Sequence, residues 1–525
     1  MRIVLLHIYN YNEKLKKILS LIVFISIALF AYTRVTYLFR EVSCSRDTIT
    51  GFEEEEKLDV VCIGSSTIVE YYQPLTAWKN YGYTSYAYGT LYGQMELYWR
   101  YIDRVLQTQD PELFVVDIRM LSTMAEQGYE QGLRFWTDSL PVFAKDRCLS
   151  IRDYLNTHTM DGNNDRSTYY FDIAKYHTNG AALASKDNWQ YMNNKGNSDN
   201  KGYELLSEHH FFEKPVVTTK EKAELSQLQS QVLYQLLDYC KEKKLNVLFV
   251  VCPYIVSAEE QKIYNTAQDI INSYGYDFIN FNNYYDEMNL DFSSDMKNIN
   301  HVNCIGAEKY TNFLADYIFR TYNISSHVGD SSYIDWDEKS DIFSEELAEG
   351  KTIVYERIND KIEAFDYALS LTQCDNPFEW SMGVQNENYT VLCCAKLSDC
   401  NLDKINVESG SILSKWGINP DDTGNYLRIS SADEIIYEEK TSAPIHQNGL
   451  LGVLDGLERV AYEAYIDTEM SIVINDNQYF TQDTGIAFFL FDNNYKRIVD
   501  AISFSVNADG EIELIRDSSW SKQTK

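Results

Sequence analysis

The sequence predicts an α/β fold: a doubly wound parallel sheet, preceded by one N-terminal transmembrane helix and followed by a C-terminal β-sandwich. Three patterns carry that expectation. They are an uncharged apolar run over residues 18–33, an alternation of apolar strand-like and amphipathic helix-like segments from about 58 to 322, and a final third rich in β-branched and aromatic residues. At 525 residues the chain is also too long for one ordinary core, so more than one domain is expected.

The apolar run follows Lys14, Lys16 and Lys17 and meets no charge until Arg34. It is short for a spanning helix, but residues 35–39 extend it if Arg34 snorkels to the interface. The lysine cluster predicts a cytoplasmic N-terminus, so that residues 1–40 form a cytoplasmic tip and anchor and all later domains lie outside the membrane. Cleavage as a signal peptide competes with this reading. Leu29 and Ala31 make a poor cleavage site, which favours an uncleaved anchor. Cys44 lies too far beyond the run, with Glu41 upstream, to read as a lipidation site.

After an acidic connector at 51–57, strands are expected at 58–63, 83–88, 113–118, 246–251 and 277–281, several continuously apolar as buried parallel strands are. Helices are expected at 94–107, 219–242, 258–274 and 306–322. Together these define a domain over 51–330, with its crevice outside the carboxyl ends of the strands. An insertion at about 120–217, including the Asn/Gly-rich stretch 193–202, interrupts the alternation. It is too long for a plain loop and is either a wall over the crevice or a structural elaboration. Residues 331–349 read as an acidic linker. A β-rich domain over 350–525 follows, with strands at 389–395, 470–474, 485–491 and 498–506 and a hairpin turn at Asp492-Asn493-Asn494.

With 46 basic against 78 acidic residues the formal net charge is −32, which opposes nucleic acid and anionic membrane surfaces as partners. The 41 tyrosines fit sugar-stacking surfaces and, more simply, β-structure. Ten cysteines show no disulfide framework; Cys62 and Cys252 sit in apolar strands, and Cys374, Cys393, Cys394 and Cys400 leave room for one bridge. No Cys/His spacing suggests zinc, and neither metal nor cofactor is expected.

Two distant segments carry chemistry. The first strand breaks into Gly64-Ser65-Ser66, which exposes a hydroxyl at a sheet end, and Asn298-Ile-Asn-His301-Val-Asn303 before Gly306-Ala307 offers an imidazole. A serine hydroxyl needs a base within hydrogen-bond reach, and that base needs a third group to fix its tautomer. In this order and setting, residues 58–322 resemble the SGNH/GDSL hydrolases, which place a nucleophile after the first strand and a histidine before the last helix.

The resemblance implies Ser66 as nucleophile, with Ser65 where the family has aspartate, and His301 as base. It implies Gly89, or less well Gly93, as a backbone oxyanion donor. The family's oxyanion asparagine is missing after the third strand, where Val115-Val116-Asp117-Ile118-Arg119 stands. Arg119 either donates to the oxyanion instead or pairs with a carboxylate such as Asp117. The family's Asp-x-x-His reads Asn298-x-x-His301 here, so the orienting group is Asn298, or Asp295 if the loop is irregular.

Within the family the chain is most similar to membrane-anchored extracytoplasmic members such as the D-alanine transfer protein of lipoteichoic acid and alginate O-acetylation proteins. That similarity implies an acyl-Ser66 intermediate whose acyl group goes to water or to a cell-envelope polysaccharide. It also implies a multispanning membrane O-acyltransferase as partner, beside the lipid bilayer. The loss of the family aspartate supports the contrary expectation, a degenerate domain that binds a glycan or scaffolds the acyltransferase.

Overall fold

The computed structural model describes residues 2–160, 165–180, 187–196, 198–216, 219–432, 434–452, 459–467, 470–474, 477–480 and 485–516. Parts of the expected 120–217 insertion, including position 197 of the Asn/Gly-rich stretch, lie outside the described residues. The chain divides into two compact units, one of residues 1–207 and 213–351, the other of residues 208–212 and 352–525.

In the first unit the chain begins with helix α1 (Arg2–Phe39). Its segment Lys14–Phe39 has a mean hydropathy of 2.2 and is long and apolar enough to cross a membrane. At 1.5 Å per residue those 26 residues span roughly 39 Å. The apolar side chains from Leu15 to Phe30 are exposed. From Thr36 the helix becomes buried within the unit. Arg34 donates to the carbonyl of Met192 at 3.0 Å and to Asn193 Oδ1 at 2.6 Å. A short turn leads to α2 (Cys44–Gly51), capped by Ser43.

The centre of the unit is a five-stranded parallel sheet. Its strands are β1 (Val60–Gly64), β2 (Ser85–Gly89), β3 (Leu113–Asp117), β4 (Val247–Val251) and β5 (Asp277–Asn280), in the order β2-β1-β3-β4-β5. Every residue of β1 to β4 is buried, which is why these strands read as unbroken apolar runs, whereas β5 is an edge strand and half exposed. Strand order changes direction between β1 and β3, and in open α/β sheets the crevice beyond such a pair of strand ends is where ligands bind.

Between the strands run α3 (Ser66–Val69), α4 (Pro74–Tyr81) and α5 (Tyr98–Val105). Four helices fold the described part of the insertion: α6 (Glu130–Thr137), α7 (Lys145–Thr157), α8 (Ser167–Tyr170) and α9 (Asp172–Tyr176). Helices α10 (Gln227–Lys243) and α11 (Ala258–Ser273) each begin with a capping box, at Ser226/Gln229 and Ser257/Glu260. A small hairpin, β6 (Met296–Asn298) and β7 (His301–Val302), then feeds α12 (Cys304–Tyr322). Many tyrosines are core residues of this unit: Tyr71, Tyr72, Tyr83, Tyr86, Tyr88, Tyr98 and Tyr101 are fully buried.

The acidic stretch 331–349 is no linker. It forms most of the first half of α13 (Ile334–Leu371), and the boundary between the two units falls inside this helix. Up to Val354 its buried positions are Trp336, Ser340, Phe343, Leu347, Gly350 and Val354, spaced four and three apart, while the acidic residues of 331–349 occupy the solvated faces.

The second unit is antiparallel. Strands β8 (Tyr389–Lys396), β9 (Asn425–Ser431), β10 (Glu434–Thr441), β11 (Ile445–Leu451), β12 (Val460–Ile466), β13 (Met470–Ile474), β14 (Asn477–Phe480), β15 (Gly485–Asp492), β16 (Arg497–Val506) and β17 (Ile512–Arg516) form two sheets. One has the order β10-β9-β8-β15-β16-β17, the other β11-β12-β13-β14. Strand β8 is buried on both faces: Leu392 and Cys394 join Ile445, Ala464 and Ile472 of the smaller sheet, while Val391, Cys393 and Ala395 join Trp380, Leu413 and Trp416. None of the ten cysteines is in a disulfide, so the Cys374–Cys400 group holds no bridge.

Candidate active site

Strand β1 ends at Gly64, where a Cβ would come within 2.5 Å of Ile68 Cγ1, so only glycine lets the chain turn this tightly into α3. Ser65 is fully buried and its hydroxyl lies 3.1 Å from Thr67 Oγ1, which donates to Asp117. Burial pushes the Asp117 carboxyl up, and the hydrogen bond from Thr67 and the backbone N–H groups of Arg119 and Cys252 counter this. Ser65 is thus part of the floor. Ser66, the first residue of α3, is the single residue between Leu58 and Trp78 that is not buried.

The imidazole comes from the β6–β7 hairpin. His301 Nε2 stands 2.8 Å from Ser66 Oγ, and His301 Nδ1 stands 3.1 Å from Asn298 Oδ1. The backbone N–H of Asn300 also donates to Asn298 Oδ1, at 2.8 Å, which identifies that atom as the amide oxygen. An oxygen can only accept, so the ring proton sits on Nδ1 and the Nε2 lone pair faces the serine. That is the tautomer a general base requires. The ring is largely buried, and burial, reinforced by the positive charges of Arg119 and Lys297, holds its pKa well below the usual histidine value. At neutral pH it is uncharged.

Asp295 stands elsewhere. It is fully buried and accepts from the Asp291 N–H at 2.7 Å, from Ser294 Oγ at 2.7 Å and from Lys309 Nζ at 2.6 Å. Both carboxylate oxygens are engaged, and Asp295 braces the loop that enters α12. Asn303 completes this brace: its side chain caps α12 by accepting from Ile305 and Gly306 N–H, and its own N–H donates to the Asp295 carbonyl at 2.8 Å.

Arg119 follows β3 and lies 3.8 Å over the Tyr254 ring. Its Nη1 donates to the Asn300 carbonyl at 2.5 Å and its Nη2 to Asn300 Oδ1 at 2.7 Å. Both terminal nitrogens thus help clamp the histidine loop, which Tyr71 also holds through its hydroxyl on the Asn300 carbonyl at 2.9 Å. Gly89 ends β2 in register with Gly64, and a Cβ there would approach the Gly64 carbonyl oxygen to 2.5 Å. The Gly93 N–H is already donated to the Thr90 carbonyl at 3.0 Å. The loop after Gly89 is tied to the segment that follows α1, since Ser45 Oγ of α2 accepts from Leu91 N–H at 2.8 Å.

One acidic residue of the site escaped the sequence reading. Glu70, buried at the end of α3, places Oε2 3.7 Å from His301 Nε2 and 3.5 Å from Lys297 Nζ. Its position four residues after Ser66, one helical turn, was the available signal. Asn300, between Asn298 and His301, was likewise passed over, although it is where Arg119 and Tyr71 converge. Among the described residues no group of three or more His, Cys, Asp and Glu side chains is placed to hold a metal ion.

Chemically, the arrangement can move the Ser66 proton to Nε2 while Oγ attacks an electrophilic carbon. The resulting imidazolium would be held by an amide oxygen on one side and approached by the Glu70 carboxylate on the other. Comparison of the chain with protein-family models, with curated proteins and with solved structures found no match.

Proposed function

We propose that the protein is a membrane-anchored serine esterase or O-acyltransferase of the SGNH/GDSL type that acts on acyl groups of a cell-envelope polysaccharide through an acyl-Ser66 intermediate. One observation carries the reading: the hydrogen-bonded series Ser66–His301–Asn298 at the carboxyl end of the first strand, with the imidazole in its basic tautomer. Ser66 Oγ attacks the acyl carbonyl carbon and gives its proton to His301 Nε2. The bond to the leaving alcohol oxygen then breaks as that oxygen takes the proton. Water or a glycan hydroxyl repeats the sequence in reverse, so the acceptor decides between hydrolysis and transfer.

The membrane side of the proposal rests on α1. The three lysines ahead of its apolar segment favour a cytoplasmic N-terminus, with both later units on the outer face, beside a multispanning acyltransferase. The second reading, a catalytically silent relative that binds glycan or scaffolds such an enzyme, is favoured by one feature, the amide in place of a carboxylate at Asn298.

Hydrolysis of p-nitrophenyl acetate by the full chain in neutral detergent separates the two. The proposal expects turnover and covalent marking of Ser66 by a fluorophosphonate, both lost in Ser66→Ala. Equal rates in the two proteins would remove the case for Ser66.

A further inference from the structure

A cavity of about 550 Å³ lies where the anchor enters the first unit, and neither Ser66 nor His301 lines it. Its walls include Glu41 and Ser43, two and four residues beyond the end of α1, and Tyr129, Phe135 and Tyr176 from the insertion. Arg46 of α2 also lines it and is 2% exposed.

The Arg46 guanidinium is incompletely used. Nε and Nη2 donate to Asn194 Oδ1, and Nη2 also to the Tyr191 carbonyl at 3.1 Å, but Nη1 has no hydrogen-bond partner. Arg46 makes no ion pair among the described residues. The carboxylates deeper in the wall are committed: Glu130 pairs with Arg134 at 2.6 Å and Lys175 at 2.9 Å, and Asp138 accepts from the Tyr176 hydroxyl at 2.6 Å. Asp138 and Asp47 act on it only from beyond ion-pair distance, and a buried guanidinium so weakly compensated is costly. Burial, with Arg40 nearby, lowers the Arg46 pKa to about 10, which a bound anion would relieve.

The surroundings indicate where that anion comes from. Phe143 and Phe171 are exposed large apolar residues on segments tied to the last turns of α1: Val142 N–H donates to the Tyr37 hydroxyl at 3.3 Å, and Asp172 pairs with Arg40 at 2.7 Å. Phe143 also packs near Tyr32, with ring centroids 6.2 Å apart. Exposed aromatic rings beside the end of an apolar helix fit the headgroup level of a bilayer. We infer that this cavity binds the anionic head group of a membrane lipid, with the Arg46 guanidinium as the cationic part of its wall and the apolar body passing outward beside α1. The chemistry Arg46 recognises is a phosphate-type anion, and the lipid is its source.

The test is a titration of the full chain in neutral maltoside micelles with dihexanoyl phosphatidylglycerol, read by native mass spectrometry, with dihexanoyl phosphatidylcholine and inorganic phosphate as comparison probes. Saturable binding of the anionic lipid is expected, at least tenfold tighter than either comparison probe. Arg46→Gln should weaken it at least tenfold, and Arg46→Lys about threefold. Because Arg46 also braces Tyr191 and Asn194, Gln131→Glu provides a second variant, placing a carboxylate on an exposed wall position; a loss of about fivefold is expected. Unchanged affinity in a folded Arg46→Gln protein or in Gln131→Glu, or no binding of the anionic lipid, overturns the site. Inorganic phosphate binding as tightly as the lipid overturns the lipid as its source.

Discussion

An amide and a carboxylate hold a histidine ring with much the same geometry and differ in charge. In serine proteases the exchange of aspartate for asparagine costs about four orders of magnitude in turnover, largely because the wrong tautomer results. Here the Asn300 N–H fixes the Asn298 amide so that the correct tautomer is kept, and what is missing is stabilisation of the imidazolium. Asn298→Asp can accept from both Asn300 N–H and His301 Nδ1, and is expected to raise kcat toward p-nitrophenyl acetate at least tenfold. The depressed His301 pKa has a definite sign. The base is neutral at pH 7, and activity falls only as pH drops through a value well below 6.5. Lys297→Met removes a positive neighbour, so the His301 pKa rises and the acid limb of kcat/KM moves to higher pH, by about half a unit. An unmoved limb would mean that Lys297 does not act on the ring. At this scale the Ser66 turn and the Asn298–His301 segment could be picked out because each is a short continuous motif, although 235 residues separate them. Glu70 and Asp295 were not, because the direction of the one depends on a four-residue helix and the partner of the other, Lys309, lies a turn into α12.

Elements were legible where periodicity was strong. The five parallel strands fall within two or three residues of their expected places, and the helices after them within a turn, apart from the start of α10, which lies eight residues later than expected. The long helix α13 was hidden by composition: its acidic residues read as a solvated linker, and only the spacing of Trp336, Phe343 and Leu347 shows the buried stripe. In the second unit, β9 to β12 alternate or expose much of their length and lack the unbroken apolar signal that marks β8 and β15. The element on which the site depends most is α12. Asn303→Ala removes its cap and the hydrogen bond to the Ser294 carbonyl, and should cost about 1–2 kcal/mol. The check is the thermal midpoint together with turnover, and turnover should fall by more than stability, since the same asparagine supports the His301 loop.

For the molecule as a whole, the end of the apolar helix α1 is tied to the rest of the first unit by a buried ion cluster. Arg40, 1% exposed, donates to Asp172 and to the carbonyls of Asp138 and Leu140, and Asp172 also pairs with Arg147 of α7 at 2.5 Å. Asp172→Asn leaves two buried guanidiniums without their nearest anion, with only Asp138 at the edge of reach, and should cost about 3 kcal/mol, read as a fall in the thermal midpoint of the full chain in micelles. A change within 1 kcal/mol would show the cluster to be open to water. The sequence announced the apolar helix but not this union, because the partners of Arg40 lie about 100 and 132 residues away within the insertion. Only three residues, Glu41 to Ser43, separate Arg40 from α2, and α2 is itself bonded to the loop after Gly89. The chain therefore has little slack between the apolar helix and the strand end that carries Ser66. In the proposed reading, with α1 in a bilayer and Ser66 as nucleophile, so short a stalk confines the chemistry to what the membrane surface itself carries past Ser66.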